Sequence, residues 1–163
     1  LGTQSSAATI PVNVQCAERN GISKAVRDFV IPLCATIHLA GSTITITMCS
    51  IAVMMLHGVQ FNFASMVGFI AMLGITMVAA PGVPGGAIMS ALGVLQTMLG
   101  FSEAQLGLMI ALYIAQDSFG TACNVSGDNA IAIVVDKIAA RMERETATQK
   151  GKRTSREPQF AGK

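Results

Sequence analysis

The chain has 163 residues, of which 52% are hydrophobic and 12% charged, with one tyrosine, no tryptophan and a formal net charge of +2 at pH 7. An ordinary soluble domain carries about 25% charged residues, whereas Phe29 to Ser102 contains no Asp, Glu, Lys or Arg. That composition excludes a soluble globular core: the run belongs in lipid, is too long for one crossing of about 20 residues, and must fold as several membrane segments, some of them broken.

In chain order, the first piece (1–20) opens with a small polar tip, Thr3-Gln4-Ser5-Ser6, and continues as a helix over Ile10 to Arg19 with Pro11 in its first turn, where proline is tolerated. Asn20-Gly21 ends it. The second piece (21–58) is one long apolar segment, Lys24 to His57, interrupted by Thr36 to Ser42. A polar interruption at mid-membrane is tolerated only where the freed backbone faces protein or a watery cavity, so this reads as a broken helix. The third piece (61–100) holds two apolar helices, Phe61 to Ala80 and Gly86 to Gly100, around Pro81-Gly82-Val83-Pro84-Gly85, a turn no helix passes through unbroken. The simplest geometry is a helical hairpin dipping into the membrane from one side. The fourth piece (102–144) is a continuous helix capped by Ser102, apolar to about Val135. The fifth (145–163) is a polar, basic tail, read as a frayed helix end followed by disorder, a solvated terminus and not a nucleic-acid arm.

Arg19, Lys24 and Arg27 precede the uncharged run, and Lys137, Arg141, Arg144, Lys150, Lys152, Arg153, Arg156 and Lys163 follow the last apolar helix. Both clusters are expected on the cytoplasmic side, which requires an even number of crossings between them. Two spans around a re-entrant pair satisfy this, and so do four spans. Cys16, Cys34, Cys49 and Cys123 show no CxxC spacing and read as small buried hydrophobes. The chain begins without Met or a basic leader and reads as the C-terminal part of something longer, with no signal peptide expected.

The last helix carries the chemistry. Within Leu106 to Val135 the only charged residues are Asp117 and Asp128, and an intramembrane carboxylate costs about 2.5 to 3.5 kcal/mol on insertion scales. At about 100° per residue, Asp117, Thr121, Asn124 and Asp128 fall within an arc of about 60°. Oxygen ligands on one helix face, aimed at a place where other helices break, suit a hard cation or an ammonium group. The competing reading is a polar helix-packing seam with Thr121 and Asn124 as hydrogen-bond partners.

Four motifs then occur together: Ser5-Ser6-Ala7-Ala8-Thr9-Ile10-Pro11-Val12, Pro32-Leu33-Cys34-Ala35-Thr36-Ile37, Gly82-Val83-Pro84-Gly85-Gly86, and Asp117 with Asn124-Val125-Ser126-Gly127-Asp128. In order and spacing the chain resembles the dicarboxylate/amino acid:cation symporter family, the glutamate transporter homologues, up to about Ala140. The resemblance implies an all-α membrane protein and the transport core of an elevator transporter: re-entrant hairpin 1, broken transmembrane helix 7, re-entrant hairpin 2 and transmembrane helix 8. It also implies a missing N-terminal scaffold half, trimeric assembly of the whole protein, and a multi-pass protein of the cell membrane with a cytoplasmic C-terminus. By the same resemblance, Ser5, Ser6, Ser42, Val83, Gly85, Gly86, Asp117, Thr121 and Asn124 bind substrate, with Asp117 holding the amino group. Cys34, Thr36, His38, Asn124 and Asp128 would hold sodium, several through backbone carbonyls. No organic cofactor and no nucleic-acid partner are expected.

The departures shape the substrate. Gly120 stands where acidic-substrate members carry an arginine, which removes the bidentate partner of a second carboxylate and favours a neutral amino acid. Gln116-Asp117-Ser118 is similar to the serine/threonine branch. Tyr113 stands at another position that is acidic in relatives and reads as an ordinary helix residue near the cavity. His38-Leu39-Ala40-Gly41-Ser42 replaces Asn-Met-Asp-Gly-Thr, removing one carboxylate and one amide from the cation sites. An imidazole there could take a proton where relatives bind sodium, or could stay neutral and satisfy unwound backbone carbonyls.

The resulting expectation is a secondary active symporter of a neutral amino acid, driven by sodium with a proton as the alternative coupling ion, and not an enzyme. An acidic amino acid or dicarboxylate symporter is the first rival, and a channel or structural membrane subunit the second. An intramembrane aspartyl protease is set aside because its aspartates sit on different helices, whereas Asp117 and Asp128 share one.

Overall fold

The computed structural model describes residues 1–154, with side-chain surroundings described to residue 149. Arg156 and Lys163, placed in the basic tail above, lie outside the described residues. Those described residues form helices and turns without a strand: α1 (Ser6–Arg19), α2 (Lys24–Ile37), α3 (Ala40–Leu56), α4 (Phe63–Val78), α5 (Gly86–Leu99) and α6 (Glu103–Thr154). α6 is the spine, touching α1, α2, α3 and α5, while α4 and α5 pack on each other around their turn.

Each start and stop has a local cause. α1 begins at Ser6, four residues before the sequence pattern suggests, because Ser5 Oγ accepts the Ala8 N–H at 3.1 Å and caps the first turn. Pro11 therefore sits in the second turn and not the first. α2 ends where His38 N–H reaches the Cys34 carbonyl at 2.8 Å, and α3 starts two residues later, so the break is narrower than the stretch from Thr36 to Ser42. Leu39 offers α3 no capping side chain, leaving its first N–H groups in need of an acceptor from elsewhere. In the turn between α4 and α5, Gly85 has φ +71°, a conformation that favours glycine. α6 continues ten residues past Arg144, to Thr154, where the sequence suggests a fraying end.

Among the described residues two stretches are long and apolar enough to cross a membrane: Lys24–Leu56, counted through its break, and Glu103–Gln149. α4, with 16 residues, and α5, with 14, reach only about 24 and 21 Å at 1.5 Å per residue, short of a hydrocarbon core of about 30 Å. Apolar side chains stay exposed along the bundle, among them Phe29, Ile44, Met48, Leu56, Phe63, Ile75 and Phe119. A water-facing surface rarely carries so many. Cys34 and Cys49 are buried, but Cys16 and Cys123 are exposed, which corrects the reading of all four as buried hydrophobes.

The apolar core is split in two. One cluster joins α3, α4 and α5 to α6 at Leu106, Met109 and Tyr113; the other joins α1 and α2 to α6 at Ala132. Between those two anchoring points α6 turns its polar stripe inward. Asn13 of α1, which bonds the Val125 carbonyl at 3.3 Å and the Asn129 side chain, ties the flank of that stripe to the first helix.

Candidate functional site

Asp117, Thr121, Asn124 and Asp128 are all buried, and so is Tyr113, one turn before Asp117. The arc drawn from helical periodicity is thus the inward face of α6. It meets three interrupted backbones: the tip before α1, the break between α2 and α3, and the turn between α4 and α5.

Asn124 supplies the acceptor that α3 lacks. Its Oδ1 accepts the Gly41 N–H at 2.8 Å and the Ser42 N–H at 3.4 Å, while its Nδ2 donates to Ser42 Oγ at 3.0 Å. The break and the stripe therefore satisfy each other's polar groups, as burial requires. A side chain at Gly41 would collide with the Gly120 carbonyl at 2.3 Å, so this part of α3 lies hard against α6. Gly120 consequently faces α3 and its Thr45 hydroxyl.

Asp117 is held on both oxygens. Gly85 N–H donates to Oδ2 at 2.9 Å, Tyr113 Oη lies 3.0 Å from Oδ1, and Thr121 Oγ1 donates weakly to the same oxygen at 3.4 Å. The two tips also close on each other: Gly82 carbonyl accepts from Ser5 Oγ at 2.8 Å and from Ala7 N–H at 3.1 Å. Under this seal lies a nearly closed cavity with room for about one water molecule, walled by Gln4 and Ser6 from the first tip, Leu39 and Ser42 from the break, Pro81 to Val83 and Ala87 from the second turn, and Tyr113, Asp117, Thr121 and Asn124 from α6. Its only charged wall residue is Asp117.

Asp128 sits apart from that cavity. His38 Nδ1 lies 2.9 Å from Asp128 Oδ1, so the imidazole faces this carboxylate and not the unwound carbonyls, which corrects one of the two readings of His38 above. The ring fits because residue 127 is glycine; a Cβ there would lie 2.4 Å from His38 Cε1. Asp128 Oδ2 is buried and has no hydrogen-bond partner among the described residues, a state that leaves one acceptor free for a cation.

Of the residues expected at a substrate site, Ser6, Ser42, Val83, Asp117, Thr121 and Asn124 line the cavity, Gly85 reaches it through its N–H, and Ser5 closes its rim. Gly86 spends its N–H on the Val83 carbonyl within the turn. Of the residues expected around sodium, His38 and Asp128 are paired and Cys34 is buried one turn before His38, but Thr36 is exposed and turns its hydroxyl to the Leu33 carbonyl. Six wall residues stand outside the expected substrate set: Leu39, Pro81, Gly82 and Ala87, then Gln4, held at φ +48° with Nε2 donating to Ser118 Oγ at 3.2 Å, and Tyr113, expected only as a helix residue near the cavity. The available signal for Tyr113 was that the chain's only tyrosine stands four residues before Asp117.

A profile of the sodium:dicarboxylate symporter family matches residues 1–138. The chain belongs to this family. Its relatives include the serine/threonine transporter SstT of Acinetobacter baumannii, 34% identical over 140 residues covering 82% of this chain and 34% of that protein. The excitatory amino acid transporter 1 of Homo sapiens is 30% identical over 85% of this chain and 26% of its own length, and the neutral amino acid transporter B(0) of Mus musculus 27% identical over 78% and 23%. The chain thus spans about a third or less of the length of these relatives. Family membership makes it a membrane protein of a symporter family whose named members move amino acids, and these relatives are transporters and not enzymes.

Proposed function

We propose that this chain is the transport core of a secondary active symporter that takes up a neutral amino acid with sodium. The observation that carries the reading is the cavity wall: one carboxylate, Asp117, and no cationic side chain. An α-ammonium group matches Asp117, and the α-carboxylate matches backbone N–H groups at the Ser5-Ser6 tip and in the Val83 to Gly86 turn, where Gly85 N–H is released once the amine takes over Asp117. A second carboxylate on the substrate would enter without a cation to meet it. The named function of the bacterial relative, serine/threonine transport, supports the same choice.

In this reading the α4–α5 pair and α1, the end of a first such pair, dip into the membrane without crossing it, α2–α3 and α6 cross it, and the basic end of α6 faces the cytoplasm of a cell-membrane protein. The remaining two thirds of the relatives' length corresponds to a scaffold against which the exposed apolar faces pack, and through which three copies assemble. The turn from Pro81 to Gly85 is the gate: Gly85 and Gly82 leave Asp117 and the first tip when substrate arrives. Asp128 Oδ2, the free buried acceptor, takes the coupling sodium. A proton on the His38–Asp128 pair is the alternative coupling ion, favoured by the 2.9 Å contact between them.

The family's description and the human relative favour one other reading, an acidic amino acid or dicarboxylate as substrate. Radiolabelled serine uptake by the full-length protein in proteoliposomes, driven by an imposed sodium gradient, separates them. Concentrative uptake inhibited by alanine and threonine is expected, falling at least tenfold when choline replaces sodium. Stronger inhibition by aspartate or succinate than by alanine would overturn the neutral substrate, and full uptake in choline with proton entry would reassign the coupling ion to His38.

A further inference from the structure

We infer that Tyr113 is the specificity-determining residue of this site, its ring limiting the length of the substrate's side chain and its hydroxyl, together with Ser42, reading a small hydrogen-bonding group on it. The inference rests on the amino acid symport reading and adds to it the class of side chain accepted.

Tyr113 is the largest fully buried side chain of the bundle. Its ring belongs to the apolar cluster with Leu39, Ile46, Cys49 and Met109, so it cannot swing aside without leaving a void. Only its far end is polar, and that end is in the cavity, 3.0 Å from Asp117 Oδ1 and 3.1 Å from Ser42 Oγ. A phenol anchored in this way acts as a fixed wall behind the carboxylate that would hold the substrate's amine.

Counting donors shows what the hydroxyl can offer. Ser42 Oγ already accepts from Asn124 Nδ2, and Asn124 Oδ1 is committed to the start of α3. Tyr113 has one proton and two neighbours, and Asp117 is also supplied by Gly85 and Thr121. An arriving ammonium group brings three donors to Asp117 and displaces the need for the phenol. The Tyr113 and Ser42 hydroxyls then remain side by side, one turn from the amine, with a proton to give and lone pairs to receive. A serine or threonine hydroxyl satisfies both. Beside an aliphatic side chain Tyr113 Oη can donate only to Ser42 Oγ, and the Ser42 proton gains no acceptor from the substrate, the kind of mismatch that discriminates in a buried site. A long side chain meets the ring.

Two variants of the full-length protein separate the two roles. Tyr113→Phe keeps the ring and removes the hydroxyl: serine uptake should persist while the preference for serine over alanine falls about tenfold, a KM effect with little change in kcat. Tyr113→Leu shortens the wall: methionine and glutamine should inhibit serine uptake at least tenfold better than in the unaltered protein. Where a variant no longer transports, the same ratios are read from competition for labelled serine bound to the purified protein. A serine-to-alanine ratio within twofold of the unaltered protein in Tyr113→Phe, together with unchanged exclusion of methionine in Tyr113→Leu, would overturn the assignment. Absence of any amino acid uptake or binding by the unaltered protein would instead overturn the symport reading beneath it.

Discussion

Replacing Asp117 with Asn should lower amino acid uptake by about 100-fold or more while leaving the protein folded in the membrane. The carboxylate is buried at the meeting of three backbone interruptions, and both of its oxygens already receive donors. An amide of the same size can still accept from Gly85 or Tyr113, so the closed state survives. It cannot supply the charge that offsets a desolvated ammonium group, and losing a charge-assisted partner in a buried site costs roughly 3 kcal/mol, or about two decades in binding. Initial rates in proteoliposomes, normalised to protein that elutes as the native assembly, give the measurement. Uptake within threefold of the unaltered protein would show that the ammonium group is held elsewhere.

Gly82→Ala should be nearly as damaging for a different reason. Gly82 carries the carbonyl that both Ser5 Oγ and Ala7 N–H bond, and a Cβ on it would meet the Ala35 carbonyl oxygen at 2.3 Å. Neither backbone can yield cheaply, because Ala35 belongs to α2, which is packed on both α1 and α6. The α4–α5 turn must therefore lift off the first tip, and the cavity loses its seal. The expected result is a fall in uptake of at least tenfold. It should be accompanied by faster labelling of a cysteine placed at Val83 by a membrane-impermeant thiol reagent, in a background where the exposed Cys16 and Cys123 are serine. Unchanged labelling and uptake would mean that closure of the two tips has no part in the cycle.

Much of the architecture was legible because it rests on local physics. The charge-free run, the Pro-Gly turn at 81–85 and the inward stripe of α6 depend on composition and a 3.6-residue period, and each is visible in a window of a few residues. Boundaries that depend on distant partners were not. The break between α2 and α3 closes to His38 and Leu39 because Asn124, on α6, accepts from the first N–H groups of α3. Nothing in the residues around 38 announces that acceptor. α1 starts early because Ser5 caps it, although serine at a tip also reads as a ligand.

The same limit applies to the cavity. Spacing along α6 identifies its own contribution, Asp117, Thr121 and Asn124, but not what stands opposite. That His38 faces Asp128 through the gap at Gly127, or that Gly85 N–H rests on Asp117, depends on register between helices that no single-helix pattern fixes. Tyr113 was read as an ordinary helix residue near the cavity and given no part in the site, because an aromatic residue in an apolar helix is ordinarily core, and its ring is core. Only its hydroxyl reaches the cavity.

The account turns on Asp117 receiving an amine, and paired analogues test this most directly. Inhibition of labelled serine uptake by serine is compared with inhibition by glycerate, in which a hydroxyl replaces the amino group and all else is kept. The account predicts that glycerate inhibits at least a hundredfold more weakly. Equal inhibition by the two would contradict it, because a site that ignores the amine has no use for a lone buried carboxylate in its wall.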